Sequence, residues 1–234
     1  MKMIEVALAP RQLLASMPSP TALPGHISVG VPVVTPIDPR KLDNGILSDY
    51  VNNEARRSTF YLVHLVVSIH PVENEWVTKL GVGVVLTKDA SPANHQGPIA
   101  WSLYPLASSE PVNLSSSISV AAKLGVLETQ ASRKVDSTRQ RTFVHAFGER
   151  ESSFEWRFER TSSYDLVGVH SMFAVVKGPL GWPLRGEIVI SADVERRRFG
   201  ILTARAVLPD DVRTLQSDIT LNHMDSSPRP RLDG

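Results

Sequence analysis

The chain has 234 residues, of which 42% are hydrophobic, so it has enough apolar material for one large domain or two small ones. Its formal net charge of +1 is close to neutral, which excludes a protein that coats nucleic acid through an overall basic surface and leaves only local basic patches for that role. The absence of cysteine excludes disulfides, thiolate metal sites and cysteine nucleophiles.

The sequence favours a protein that is not secreted and that touches membranes only peripherally. No apolar run reaches the roughly 20 residues that a transmembrane helix needs. The first residues are a poor signal peptide, because Glu5 comes early and Pro10 and Arg11 follow soon after it.

Residues 1–57 are predicted to form an irregular, proline-rich arm. A helix over residues 3–16 would be broken by Pro10. Further prolines recur at positions 18, 20, 24, 32, 36 and 39. Because proline lacks the backbone N–H donor, this spacing disfavours long helices and central strands.

Period-two alternation starts near Ser58 and predicts a β-rich core domain over residues 58–221. In Thr59–Ile69, one face would hold Tyr61, Val63, Leu65, Val67 and Ile69. In the strand Trp76–Leu86, one side would hold Trp76, Thr78, Leu80, Val82 and Val84. Further strands are predicted at Ile99–Leu106, Ser116–Glu128, Phe143–Phe147, Phe154–Glu159, Leu166–Lys177, Glu187–Val194 and Phe199–Val207.

The connections complete the predicted fold. Residues 178–183, rich in Gly and Pro, predict a hairpin with a long rigid loop, and Leu208–Leu215 predicts one short helix. Residues 222–234 are too polar to fold and are predicted to be a flexible tail. The predicted fold class is therefore all-β: a single antiparallel β-sandwich or jelly roll with a proline-rich N-terminal arm and at most one or two short helices.

The sequence shows no complete catalytic or metal-binding motif, and we therefore predict no enzyme, no cofactor and no metal site. Residues 25–30, Gly-His-Ile-Ser-Val-Gly, nearly match a nucleophile elbow, but the serine is one residue too far from the first glycine and no helix is predicted after it. His64 and His70 share a parity, but Pro71 bends the chain and no third ligand is near in the sequence.

Two basic clusters are the candidate contacts for nucleic acid or anionic lipid. One lies in the predicted connection before residue 143: Arg133, Lys134, Arg139 and Arg141. The other is Arg196, Arg197 and Arg198. Guanidinium groups hold phosphates through bidentate hydrogen bonds. The alternative is that these charges are only solvated or protect an edge strand from aggregation. Trp182, at the predicted hairpin tip, is a candidate membrane or partner contact, or else folds back over the core.

Residues 58–160 resemble the core of the 30K superfamily of plant-virus movement proteins. The similarity starts in the strand with Tyr61 and His64, continues through the glycine-containing strand 81–86 to Asp89, and includes the strand that opens with Trp101 and residues 140–143. The family's hallmark aspartate, a structural residue, corresponds to Asp89. The family usually shows Leu-x-Asp, whereas this chain has Leu86-Thr87-Lys88-Asp89.

The resemblance implies a jelly-roll-like protein that binds single-stranded nucleic acid without sequence preference, contacts membranes and self-assembles into homo-oligomers. It would move viral genomes between cells, in the host cytoplasm at membranes or cell junctions. An alternative resemblance is to matrix proteins of negative-strand RNA viruses, which implies a viral nucleocapsid as partner and rests on residues 141–143, 166–168 and 186–189. A cellular β-sandwich adaptor is the third possibility.

Overall fold

The fold was analysed in a computed structural model that describes residues 2–10, 22–38, 49–50, 53–54, 57–87, 97–108, 143–196 and 200–217. The strands in these ranges are β1 Met3–Pro10, β2 Leu23–Gly30, β3 Val33–Pro36, β4 Ser58–Ile69, β5 Glu75–Leu86, β6 Ile99–Tyr104, β7 Ala107–Ser108, β8 Val144–Phe147, β9 Ser153–Glu159, β10 Gly168–Pro179, β11 Arg185–Arg196, β12 Gly200–Ala206 and β13 Thr214–Gln216. The helix α1 spans Asp210–Arg213.

These strands form one antiparallel sheet, in the order β6-β10-β4-β2-β1-β12-β11-β5-β9-β8-β7, with β3 added to β4 and β13 to β11. The first and last strands of this order, β6 and β7, belong to the single segment 99–108. The sheet therefore nearly closes on itself and is almost barrel-like. This architecture confirms the predicted all-β fold class.

The inner faces of the strands form the main core. On β4, the side chains predicted to share a face are all buried: Tyr61, Val63, Leu65, Val67 and Ile69. On β9, the alternate residues Phe154, Trp156 and Phe158 are also buried, and Trp156 Nε1 donates a hydrogen bond to the carbonyl of Pro105. A chain whose apolar residues alternate in this way can bury one face of each strand and leave the other face to water.

A smaller apolar cluster covers the opposite face of β4 and β10. Phe60, Phe173 and Val175 are buried there, with Tyr50 and Trp101 packed against them. The Tyr50 and Trp101 rings stack with their centroids 4.0 Å apart. Burial on both faces explains why β4 and β10 are apolar over nearly their whole length.

The prediction of an irregular arm over residues 1–57 is wrong for three segments, because they form β1, β2 and β3. Strand β1 lies between β2 and β12, in the interior of the strand order. Pro10 ends β1 instead of breaking a helix, and Val6 and Leu8 are buried in the main core. The sheet therefore takes strands from both sides of the boundary predicted at residues 57 and 58.

The predicted hairpin around residues 178–183 is also wrong. Strand β10 pairs with β4 and β6, whereas β11 pairs with β5, β12 and β13, so β10 and β11 are not neighbours. The short link between them carries the chain from one part of the sheet to another. Pairing of β10 with β4 and of β11 with β5 over about 12 residues each outweighs the local preference for a hairpin.

Other predictions have mixed outcomes. The helix predicted at Leu208–Leu215 is present as the four residues of α1, and its Val212 is buried. The predicted strand Ser116–Glu128 and the predicted tail 222–234 lie outside the described residues. Among the residues that the structure describes, no helix is long and apolar enough to cross a membrane.

Candidate functional site

Strands β11 and β12 form a hairpin, and its end carries one of the predicted basic clusters. Arg196, the last residue of β11, pairs with Gly200, the first residue of β12. Arg197 and Arg198 belong to the connection between them in the sequence and lie outside the described residues. We call the described part of this region the hairpin end, defined as Glu75, Trp76, Glu195, Arg196 and Ile201.

Arg196 is fixed by a carboxylate that it shares with a buried histidine. Its Nε lies 2.7 Å from Glu75 Oε1, and His26 Nε2 lies 2.6 Å from Glu75 Oε2. The Arg196 contact is an ion pair, whereas the His26 contact is one only when His26 is protonated, and the angles of both depart from those of a hydrogen bond. The contacts among His26, Glu75 and Arg196 join β2, β5 and β11, so they hold the end of the β11–β12 hairpin against two other strands.

Burial lowers the pKa of His26, whose side chain is 2% exposed. The Glu75 carboxylate opposes this shift, and the positive charge of Arg196 adds to it. His26 is therefore neutral at neutral pH, and Glu75 has one full positive charge beside it, that of Arg196. Of the three predicted arginines in this cluster, Arg196 is thus already paired within the protein.

Trp76 is a part of this site that the alternation pattern missed. Asp193 pairs with Lys79 and Val194 with Val77, so Thr78 is an additional residue in β5 and forms a β-bulge. The bulge reverses the parity of the strand before it. Val77 consequently points into the core, and Trp76 is 39% exposed, opposite Glu195. The prediction that Trp76 faces inward with Leu80 is therefore wrong.

The hairpin end thus combines an exposed aromatic ring with the paired Arg196, and two further arginines follow Arg196 in the sequence. Trp76 lies beside Glu75 in the chain and opposite Glu195, and Ile201 pairs with Glu195 on the other side. Ile201 is 64% exposed. An indole face can stack on a base and an arginine can bind a phosphate, and these are the two contacts that proteins use to bind single-stranded nucleic acids.

A second surface feature is a trough along the outer face of β5. Gly81 has no side chain, and a groove of about 350 Å³ lies over it, between β9 and β11. Its walls carry paired charges. Lys79 lies 3.5 Å from Glu159, and Arg157 forms an ion pair with Glu155.

The structure offers little for catalysis in the described residues. Ser28 Oγ lies 2.9 Å from His70 Nε2 at an exposed position, but no ion pair joins His70 to a carboxylate among the described residues. Among the described residues, no group of three or more His, Asp or Glu side chains could hold a metal ion. His64 stacks on Phe173 with ring centroids 4.2 Å apart.

The remaining predicted site residues fall into two groups. Trp182 is half-buried in the β10–β11 link, where its carbonyl accepts a hydrogen bond of 2.8 Å from Tyr61. The exposed apolar residue of that link is Leu180, at 52%. The other residues lie outside the described ranges: Asp89, Arg133, Lys134, Arg139, Arg141, Arg197 and Arg198.

No protein-family model matches the chain, and no curated protein matches it either. The resemblance to the 30K superfamily, and the alternative resemblance to matrix proteins, therefore stay predictions that rest on the residues named above.

Proposed function

We propose that this protein is a non-enzymatic binding module that holds single-stranded nucleic acid at the hairpin end of β11 and β12. The observation that carries the proposal is the exposed indole of Trp76 at the end of a hairpin whose two strands are joined in the sequence by Arg197 and Arg198. Every base has a π-face that can stack on an indole, so binding of this kind has little sequence preference.

The electrostatics of the hairpin end favour a division of roles among the arginines. Glu75 neutralises Arg196 and holds it in place, so Arg196 anchors the hairpin. Arg197 and Arg198 would then supply the phosphate contacts. A net charge of +1 for the whole chain requires that such contacts be local, and two arginines adjacent in the sequence satisfy that requirement.

The finer form of the proposal is a viral protein that self-assembles, contacts membranes and supports cell-to-cell movement of a genome. Exposed apolar side chains support an associating role: Val167 at 49%, Val169 at 56% and Leu180 at 52%. A matrix or capsid-like assembly protein shares these expectations and is the alternative. In leaf epidermis, a fluorescent fusion of a movement protein would collect in spots at cell junctions, whereas a matrix protein would line the plasma membrane.

Binding of the purified protein to a fluorescent single-stranded RNA, measured by anisotropy across a salt series, tests the nucleic-acid contact. Trp76→Ala should weaken binding by about 5- to 100-fold, the usual effect of removing one stacking residue. The double change Arg197→Ala and Arg198→Ala should also lower the slope of log K against log salt by about 1.4, since each single-strand phosphate contact contributes about 0.7.

Two matched controls separate this site from general surface effects. Phe147→Ala removes another exposed aromatic ring, which is 42% exposed on β8. Arg213→Ala removes an exposed arginine near Glu187, roughly 30 Å along β11 from Arg196 at the usual rise per strand residue. Both controls should bind RNA like the unchanged protein. Absence of RNA binding at low salt, or equal losses in the controls, would contradict the proposal.

A further inference from the structure

His26 reaches across the end of the sheet to a carboxylate on a strand that is not its neighbour. In the strand order, β1 and β12 lie between β2, which carries His26, and β11, which carries Arg196. Arg196 and Glu75 are themselves partners in the pairing of β11 with β5. Because the sheet nearly closes on itself, the three side chains meet at one of its ends. The charge of a histidine on β2 therefore acts directly on the hairpin end.

Glu75 is a single carboxylate shared by two nitrogens. Its Oε2 lies 2.6 Å from His26 Nε2, and its Oε1 lies 2.7 Å from Arg196 Nε. Both nitrogens are buried, yet neither has a hydrogen-bond partner of good geometry among the described residues. Buried polar atoms of this kind are rare in folded proteins. A small rotation of the Glu75 side chain completes one bond or the other, so the carboxylate has two available arrangements.

The protonation state of His26 selects between these arrangements. With a neutral imidazole, the negative charge of Glu75 is balanced by the positive charge of Arg196 alone. An imidazolium places a second positive charge beside the same carboxylate. Its charge is desolvated, so it pairs strongly with Glu75, whereas Arg196 is partly exposed and can turn to solvent. Because burial lowers the pKa of His26, against the opposing effect of Glu75, this change occurs at mildly acidic pH.

The other strands that pack against β2 bring no competing contact to the His26 ring among the described residues. At the end of β4, the exposed His70 donates a backbone hydrogen bond of 2.8 Å to the His26 carbonyl. From β1, the nearest charged residue is the exposed Glu5, and no ion pair joins it to His26. From β5 and β11 come Glu75 and Arg196. His26 therefore exchanges charge with these two groups.

We propose that protonation of His26 strengthens RNA binding at the hairpin end, because it releases Arg196 from Glu75 toward a phosphate of the bound strand. This inference rests on the nucleic-acid contact proposed above and adds regulation by pH to it. One further phosphate contact adds about 0.7 to the slope of log K against log salt, which corresponds to about fivefold in affinity near 0.1 M salt. The two equilibria are linked, so bound RNA raises the pKa of His26 in return.

The test measures the anisotropy of a fluorescent RNA made only of uridine, with the full-length protein at pH 7.5 and 5.5, on either side of the ordinary histidine pKa of about 6.5. Uracil takes up no proton in this range, so the probe itself does not change. The chain has seven histidines, and their general gain of charge tightens binding in every variant. The effect of His26 is therefore the part of the acid-induced gain in affinity that His26→Gln loses. We expect this part to be about fivefold near 0.1 M salt and to vanish near 1 M salt.

Two further variants separate His26 from its surroundings. His70→Gln removes the neighbouring exposed histidine and should keep the gain that His26→Gln loses. Glu75→Gln keeps the shape of the side chain but removes the shared charge, so it should bind the RNA about fivefold more tightly than the unchanged protein already at pH 7.5. Circular dichroism checks the fold of each variant at both pH values. Independently of any variant, NMR of the His26 ring in the unchanged protein should show a higher pKa with the RNA than without it.

The outcomes distinguish the regulation from the contact that it acts on. If His26→Gln gains as much affinity in acid as the unchanged protein while Trp76→Ala still weakens binding, the regulation is overturned and the contact stands. An unchanged pKa of His26 on RNA binding overturns the regulation as well. If the RNA does not bind at either pH, or if Trp76→Ala binds like the unchanged protein, the nucleic-acid contact is overturned and the regulation with it.

Discussion

The two ends of β11 carry similar ion pairs in different surroundings. At the hairpin end, Glu75 is 20% exposed and Arg196 29%, and the buried His26 shares the same carboxylate. At the other end, Arg213 lies 3.4 Å from Glu187, and both side chains are more than half exposed. The same pair of chemical groups is thus an internal tie at one end and a solvated surface contact at the other.

The difference shows how burial changes what an arginine does. An exposed ion pair is screened by water and salt and contributes little to stability. Replacing both partners of a partly buried pair with apolar groups changes stability little. Losing only one partner is costly, because the other charge is left uncompensated. Arg196 therefore has a structural role that Arg213 does not have, even though each arginine is paired with a glutamate.

The largest expected effect comes from breaking the buried cluster. Glu75→Ala leaves Arg196 and His26 without their shared carboxylate and should lower the free energy of unfolding by about 2–4 kcal/mol. Urea denaturation followed by circular dichroism measures it. The control Glu195→Ala removes an exposed carboxylate from the same hairpin end and should change stability by less than about 0.5 kcal/mol. If Glu75→Ala loses no more free energy of unfolding than this control, the contacts of Glu75 with His26 and Arg196 do not stabilise the fold.

An intermediate effect is expected from acid. Because burial lowers the pKa of His26, the unfolded chain takes up a proton at a higher pH than the folded protein does. The free energy of unfolding therefore falls as pH decreases from about 7 through the ordinary histidine range, and His26 adds at most about 1.4 kcal/mol per pH unit to that slope.

The variant His26→Gln should show a smaller slope of stability against pH than the unchanged protein, whatever its stability at pH 7. Some acid sensitivity should remain, since burial also lowers the pKa of His64 and His170. Denaturant midpoints measured at pH 7, 6 and 5 give the slope. An unchanged slope would show that His26 does not titrate differently on folding.

The smallest effect is expected at the exposed end of β11. Glu187→Ala should lower the free energy of unfolding by less than about 0.5 kcal/mol, and the difference should vanish in 1 M salt, where exposed charges are screened within about 3 Å. Thermal unfolding at low and high salt measures this. Exposed ion pairs contribute at most about 1 kcal/mol to stability. A larger loss that did not depend on salt would therefore show that the Glu187–Arg213 pair behaves like the partly buried pair at the hairpin end.

Alternation alone predicted the strands that pack on one face. Tyr61, Val63 and Leu65 on β4, and Phe154 and Trp156 on β9, are buried as their spacing predicts, because a strand turns alternate side chains to opposite faces. The strands β1 to β3 were not predicted, because frequent prolines disfavour central strands. Proline is tolerated at strand ends, and the sheet supplies pairing partners that the local sequence does not reveal.

The candidate site was predicted only in part. The arginine cluster is visible in the sequence, but the pairing of Arg196 with Glu75 joins residues that are distant in the chain. Trp76 was assigned to the core because a strand without a bulge keeps its parity. The one signal that could have placed it outside is Val77, an apolar neighbour that satisfies the core equally well after a shift of one residue.

The sequence by itself determined the fold class, the inner face of most strands and the presence of local basic clusters, since these depend on residue type and on a period of two. The tertiary structure decided the order of the strands, the bulge that exposes Trp76, the pairing of Arg196 with the Glu75 carboxylate and the trough above Gly81. Each of these depends on which strands become neighbours, and that choice is set by pairing energy summed over the whole sheet, which no short stretch of sequence contains.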